Sequence, residues 1–314
     1  MAKIFIGAGA ALLLAILASY LLISPTVVFS KVTHLSATSA AAERAFYSEV
    51  ERTKWWPAKG DPAINNNKEQ NHKYGENKYA FPQQTYSGST IHIYHNDKKL
   101  NSTIHFVSFK TDSTAIIWKA DFGATNNPFK RMSNYVAALT IKKNMADILD
   151  AVKEFLVKPE NLYGHAIIEE KVKDTILMST RWTTATYPST EMIYGKIDML
   201  KNYIRINGGM ETNNPMLNIS EERGMFNTMV AIPVNKELPE NEAILIKKMV
   251  AGRILSTFVT GGMRSPGAAL KKIEQYIDDH KITSPAIPFE SLVTNRMKEK
   301  DTLKWVTKVY YPIY

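Results

Sequence analysis

The residues able to do chemistry in this chain are few, and several routes are closed at once. There is no cysteine, which removes disulfides, thiolate metal sites and thiol nucleophiles. No G-x-S-x-G elbow, P-loop, dinucleotide fingerprint or H-E-x-x-H helix occurs, and Gly7-Ala8-Gly9 lies within an apolar run, where glycine serves helix packing rather than phosphate binding. His92, His95 and His105 fall near one predicted hairpin, with His92 and His105 placed to face each other across strands. No fixed carboxylate accompanies them, so cross-strand packing or surface polarity is the expectation rather than a metal site. What remains is an aromatic set in the C-terminal half: Trp182, Tyr187, Tyr194, Phe258, Trp305, Tyr310 and Tyr311. Such side chains enclose apolar or amphipathic ligands, and they also fill ordinary cores. The expected chemistry is binding, without metal or cofactor.

An internal repeat positions that aromatic set. Phe226-Asn227-Thr228-Met229-Val230-Ala231-Ile232-Pro233-Val234 recurs as Trp305-Val306-Thr307-Lys308-Val309-Tyr310-Tyr311-Pro312-Ile313, both reading aromatic-x-Thr-x-Val-x-x-Pro-aliphatic. Upstream of each stands a predicted helix, Ser189 to Arg205 and Ser265 to His280, with apolar residues at Ile193, Ile197, Leu200 and Ile204 and at Leu270, Ile273 and Ile277. Before each helix an apolar strand is expected, Thr175 to Thr184 and Ile244 to Val259. The pattern is β-α-β-β used twice, and paired units of this kind form a concave sheet with a central groove. Strand alternation sets Lys308 and Tyr310 on one face, Val309 and Tyr311 on the other.

The preceding stretch carries a different order. Thr26 to Ala37 reads as a strand leading into a helix from Ala40 to about Trp56, capped by Thr38 or Ser39. Residues 58–78 are polar and turn-rich and read as a long surface loop over a cavity. Thr85 to His95, Leu100 to Lys110 and Thr114 to Phe122 alternate as an antiparallel meander. After Asn126-Asn127-Pro128 the apolar period becomes helical, from Met132 to Leu156, so a long helix closes the domain, with an apolar cavity expected between it and the sheet. Trp55 and Trp56 are expected in the core or at the rim of that cavity.

At the N-terminus no charge stands between Lys3 and Lys31, and Ile4 through Ile23 is almost wholly apolar. That length crosses ~30 Å of hydrocarbon at ~1.5 Å per residue, and its end at Tyr20-Leu21-Leu22-Ile23 suits an uncleaved anchor better than a peptidase site. Lys3 and the amino terminus inside, against Lys31 outside, place the bulk of the chain beyond the membrane. The 314 residues then make a transmembrane anchor over 1–26 and two domains over 27–160 and 161–314. The net charge of +9 is dispersed, with Lys142-Lys143, Lys247-Lys248 and Lys271-Lys272 mixed among acids. No nucleic-acid-binding signature accompanies it, so no nucleic-acid partner is expected.

Two resemblances follow from these patterns. The strand after the anchor, Ala40 to Tyr47, Trp55-Trp56-Pro57 and the Asn127-Pro128 helix entry resemble the START-like polyketide-cyclase/dehydrase superfamily (SRPBCC), which implies a helix-grip fold. Gly261-Gly262, Pro285, Phe289-Glu290 and Lys308-Val309-Tyr310-Tyr311-Pro312-Ile313 resemble the GyrI-like small-molecule-binding superfamily, the effector-binding domain of AraC-type and multidrug-sensing bacterial regulators. That family implies a pocket carboxylate just after the Thr of the final strand. Lys308 stands there, with Met229 as its first-half counterpart, and the departure argues against both cation recognition and hydrolysis. Glu290 is the nearby acid the motif retains.

The fold class expected is therefore α+β: a transmembrane helix, a helix-grip domain, then a duplicated β-α-β-β domain with a concave antiparallel sheet. The expected function is that of a bacterial inner-membrane, single-pass, non-catalytic binding protein, a sensor or carrier of small apolar or amphipathic ligands with its domains on the extracytoplasmic side. Trp182, Tyr187, Tyr194, Phe258, Glu290, Trp305, Lys308 and Tyr310 are its candidate ligand contacts. Two alternatives remain: a hydrolase using Glu290 with Tyr310, and a structural component of an envelope complex.

Overall fold

A computed structural model describes residues 14, 17–18, 20–57, 64–66, 69–81, 89–96, 98–284 and 286–314. The chain is a mixed α+β protein with curled antiparallel sheets, in two compact units, Met1–Lys158 and Pro159–Tyr314. Most of the Ile4–Ile23 segment lies outside the described residues. Among the described residues no helix is long and apolar enough to cross a membrane.

In the first unit, strand β1 (Thr26–Leu35) leads to helices α1 (Ser39–Tyr47) and α2 (Glu49–Trp55), then strands β2 (Ile64–Asn66), β3 (Glu69–Tyr74), β4 (Asn77–Phe81), β5 (Ser89–Thr90), β6 (His92–His95), β7 (Lys98–Lys110) and β8 (Ser113–Ala124), and finally helix α3 (Pro128–Leu156). The strands lie in the order β1-β8-β7-β6-β4-β3-β2, with β5 also beside β7. Helix α3 starts where the sequence places it. The Asn127 side chain accepts from Lys130 N at 3.1 Å and Pro128, which has no N–H to satisfy, takes the first helical position.

Three expectations are corrected. The helix expected over 40–56 is two helices, because Ser48 turns extended and its hydroxyl accepts from Glu51 N at 3.3 Å, starting a new helix. The segment read as a surface loop over 58–78 contains β2, β3 and the start of β4; β4 supplies the backbone partners that a propensity reading of polar residues cannot see. His92 stands opposite Ala80 and His105 opposite Ile117, so those histidines do not face each other. Among the described residues no group of three His, Asp or Glu is placed to hold a metal.

The interior of this unit is aromatic. Phe46 contacts Trp55, Phe81, Phe106 and Trp118 at ring distances of 5.4–6.1 Å, and Tyr79 packs on Trp118 at 5.8 Å. Helix α3 adds Ile141, Met145, Ile148 and Leu149, all buried. Trp55 and Trp56 are core, their indole N–H groups donating to the carbonyls of Ala45 and Lys73. Fully buried Arg52 donates from Nε to His72 Nε2 at 2.8 Å and from Nη1 to the Phe46 carbonyl at 2.7 Å, over the Phe81 ring.

The second unit runs α4 (Pro159–Tyr163), β9 (Ile168–Lys171), β10 (Ile176–Thr184), α5 (Thr190–Ile206), β11 (Met216–Glu222), β12 (Met225–Pro233), β13 (Leu245–Lys248), β14 (Arg253–Thr260), α6 (Ser265–His280), β15 (Phe289–Leu292), a 3-10 turn and β16 (Val306–Ile313). The sheet order is β13-β10-β12-β11-β15-β16-β14-β9. Within it, β10-α5-β11-β12 and β14-α6-β15-β16 are the two copies of the repeat, meeting at β11 and β15 in mirrored order. Helix α5 packs on Met178, Val230 and Ile232, and α6 on Leu255, Val259 and Val309, all on one face.

The single strand expected over Ile244 to Val259 is instead two, β13 and β14, at opposite ends of the sheet. This break decides the shape. From β13 to β14, and from β10 to β9, the sheet takes six steps, about 29 Å if it were flat. Only residues 249–252 and 172–175 join these pairs, and five Cα steps reach at most about 18 Å. The sheet must curl until its ends approach. The two links then hydrogen-bond to each other, Val172 N to Gly252 O and Met249 N to Thr175 O, both at 2.9 Å. Gly261, in the turn between β14 and α6, has φ +140°, and an added Cβ would stand 2.4 Å from Ser265 Oγ, so the position requires glycine.

Candidate ligand-binding site

Antiparallel register decides which side chains share a face, since directly opposed residues point the same way. Leu177, Met216, Met229, Ala231 and Phe289 fall on the face away from the helices. Together with the 249–252 and 286–288 segments, Pro312 and Tyr314 they line a cavity of about 640 Å³. No Asp or Glu side chain lines it, but Lys247, Lys248 and Arg253 do. Lys248 is paired with Glu237 at 2.5 Å and Arg253 with Glu169 at 3.3 Å, and Arg253 also bonds to the Tyr314 carbonyl. Among the described residues Lys247 has no carboxylate partner. Its Nζ rests 3.6 Å from the Met229 sulfur, and burial, followed by the nearby Arg181 charge, lowers its pKa. The cavity is thus apolar, with a half-buried cation that lacks a counter-ion among the described residues.

None of the eight candidates from the sequence lines this cavity, and the structure sorts them into two groups. Phe258, Lys308 and Tyr310 lie on the same helix-free face, toward β9, and Tyr310 borders a recess of about 40 Å³ with Glu170 and Phe289. The Lys308 ammonium is 2.5 Å from Glu170 Oε1, 5.2 Å from the Phe258 ring centre and 4.8 Å from that of Tyr310. Lys308 is therefore an ion-paired lysine rather than an unneutralised charge. Its counter-ion comes from the edge strand β9, far away in sequence.

Trp182, Tyr194, Glu290 and Trp305 lie on the helix-covered face, with Tyr187 on the loop beside them. Glu290 pairs with Arg296 Nη2 at 3.3 Å, and Arg296 also donates to Thr307 Oγ1 and sits over the Trp305 ring. The Tyr194 hydroxyl accepts from Arg296 N and donates to the Thr294 carbonyl. Burial pushes the Glu290 carboxyl above its ordinary pKa despite Arg296, which pulls the other way. Trp182 stands opposite Thr228, and the indole N–H, the Thr228 hydroxyl and Arg296 Nε are all buried with no hydrogen-bond partner among the described residues. Glu290 is opposite Val309 and Tyr310 opposite Phe289, so Glu290 and Tyr310 point to opposite faces of one sheet. The hydrolase alternative loses its pair of groups.

Met216, Met229, Phe289 and Lys247 were missed as cavity residues. The repeat held one signal: Met229 is the first-half counterpart of Lys308, and both register positions face away from the helices. The wall at 249–252 had none, because a continuous apolar run reads as one strand.

No family model matches the chain, and no curated protein does. Among solved structures it is similar to the EcmrR C-terminal domain (16% identity, TM-score 0.42, covering 48% of this chain and 98% of that one). It is also similar to SAV2435 bound to tetraphenylphosphonium (15%, TM-score 0.30, 48% and 94%) and to a START superfamily protein from Mycobacterium smegmatis (15%, TM-score 0.30, 40% and 97%).

Proposed function

We propose that this chain is a membrane-tethered, non-catalytic binding protein whose second unit takes an apolar ligand carrying an anionic group. The observation that supports it best is the cavity of about 640 Å³, which among the described residues has no acidic side chain in its lining and no carboxylate partner for Lys247. A volume of this size falls within the ~300–1,000 Å³ common for small-molecule sites. The uncharged run between Lys3 and Lys31 supports the tether, and the charge balance across it supports an extracytoplasmic placement.

Titration of the purified full-length protein with a long-chain carboxylate, its methyl ester and a quaternary ammonium of equal chain length tests the reading. The carboxylate binds most tightly, and Lys247→Gln weakens it by about tenfold, the ~1.4 kcal/mol of one partly buried ion contact, while leaving the ester unchanged. Equal binding of all three, or no effect of Lys247→Gln, sinks the assignment. The orphaned Trp182 and Arg296 donors favour a second reading, a polar ligand held beside α5. Under it, Trp182→Phe rather than Lys247→Gln weakens binding.

A further inference from the structure

Helix α3 has an outer stripe that its own fold does not use. Its buried face carries Ala137, Ala138, Ile141, Met145, Ile148 and Leu149. On the opposite side, Phe129, Met132, Tyr135, Val136 and Leu139 are 48 to 59% exposed. At 3.6 residues per turn they form a stripe about 15 Å long. The stripe then changes character: the same face continues as Lys143, Asp147, Asp150 and Glu154.

The charges are sorted along the helix as well. Residues 128–146 contain no acid, while Lys130, Lys142 and Lys143 are exposed there. The apolar, basic end is also the end fixed to the N-terminal segment. Buried Arg131 donates from Nη1 to the carbonyls of Tyr20 and Ile23 at 3.0 and 3.3 Å, its guanidinium 4.3 Å from the Tyr20 ring centre. Leu14, Leu17, Leu21 and Leu22 in that segment are exposed too.

We infer that residues 129–143 of α3 lie in the headgroup region of an anionic lipid bilayer, with the apolar stripe facing the acyl chains and Lys142 and Lys143, at its far end, among the lipid phosphates. Apolar burial and basic residues act together in such surface helices. Asp147, Asp150 and Glu154 mark where the helix leaves the surface. The inference rests on the tether proposed above and adds to it a fixed posture of the first unit on the membrane.

The absence of cysteine makes the test direct. Single variants Leu17→Cys, Met132→Cys, Leu139→Cys and Glu154→Cys of the full chain are labelled with an environment-sensitive fluorophore. They are reconstituted in phosphatidylcholine vesicles with or without phosphatidylglycerol, and quenched by spin-labelled lipid. Positions 132 and 139 are expected to be quenched several-fold more than 154. Lys142→Glu with Lys143→Glu should weaken that quenching in phosphatidylglycerol vesicles. Quenching at 17 but not at 132 and 139 overturns the inference and leaves the tether standing. No quenching at 17, with release by carbonate, overturns the tether and the inference with it. Disulfide crosslinking between copies through Met132→Cys assigns the stripe to a second copy and also overturns it.

Discussion

Lys308 and Glu170 form an ion pair at 2.5 Å between the last strand of the sheet and its edge strand, with Ser256 Oγ on the same carboxylate oxygen at 2.5 Å. Both side chains are largely shielded. Burial alone would push the Glu170 carboxyl up, but the hydrogen bonds from Lys308 and Ser256 outweigh it and hold the group below its ordinary value. The Lys308 ammonium moves the other way: burial alone would lower it, and Glu170 and Tyr310 raise it.

Removing the lysine should expose that dependence. Lys308→Met leaves the largely shielded Glu170 without its cation and should cost about 1 to 2 kcal/mol at pH 7. A carboxyl held below its usual pKa contributes stability that is present above the unfolded value near 4.5 and lost as pH falls through the folded value. The gap between wild type and Lys308→Met should therefore close below about pH 4.5. Urea unfolding at pH 7 and pH 3.5 measures it; a gap that stays constant contradicts the pairing.

His72 offers a second pH window, in the first unit. It accepts a hydrogen bond from Arg52 and is buried, and desolvation, followed by the Arg52 charge, lowers its pKa from 6.5 to about 4. The unfolded chain then binds a proton between pH 6.5 and 4 that the folded chain refuses. Stability is full above pH 6.5 and falls toward pH 4, by up to about 3 kcal/mol at 1.36 kcal/mol per unit. His72→Gln, which keeps an acceptor for Arg52 and cannot titrate, should flatten that slope. Denaturation midpoints across this range decide it, and an unchanged slope would locate the titration elsewhere.

Glu290 and Arg296 should behave as a unit. Arg296→Met strands a shielded carboxylate and should cost about 3 kcal/mol at pH 8. The cost should be smaller at pH 5, because a carboxyl with a raised pKa is penalised only as pH climbs above its unfolded value. Adding Glu290→Gln to Arg296→Met should recover most of the loss. A double-mutant cycle by chemical denaturation tests this, and additive losses would show that the 3.3 Å contact couples nothing.

The sequence by itself determined what is local or periodic. The two aromatic-x-Thr-x-Val-x-x-Pro copies marked the β-α-β-β repeat, because each copy encodes the same strand-and-helix unit. Alternation alone separated Lys308 and Tyr310 from Val309 and Tyr311, and the β14 register agrees. Asn127-Pro128 fixed the start of α3, because a cap and a missing N–H act within one turn. The tertiary structure decided everything that depends on which strand lies beside which. The polar stretch around β3 became sheet because β4 offered it a ladder, and the 244–259 run split because its halves pair at opposite ends of a curled sheet. The β15–β16 register sent Glu290 to one face and Tyr310 to the other, the order β16-β14-β9 brought Glu170 to Lys308, and the curl set Met216, Met229 and Phe289 around a cavity. No periodicity carries such pairings, because register between distant strands is settled only when the whole sheet closes.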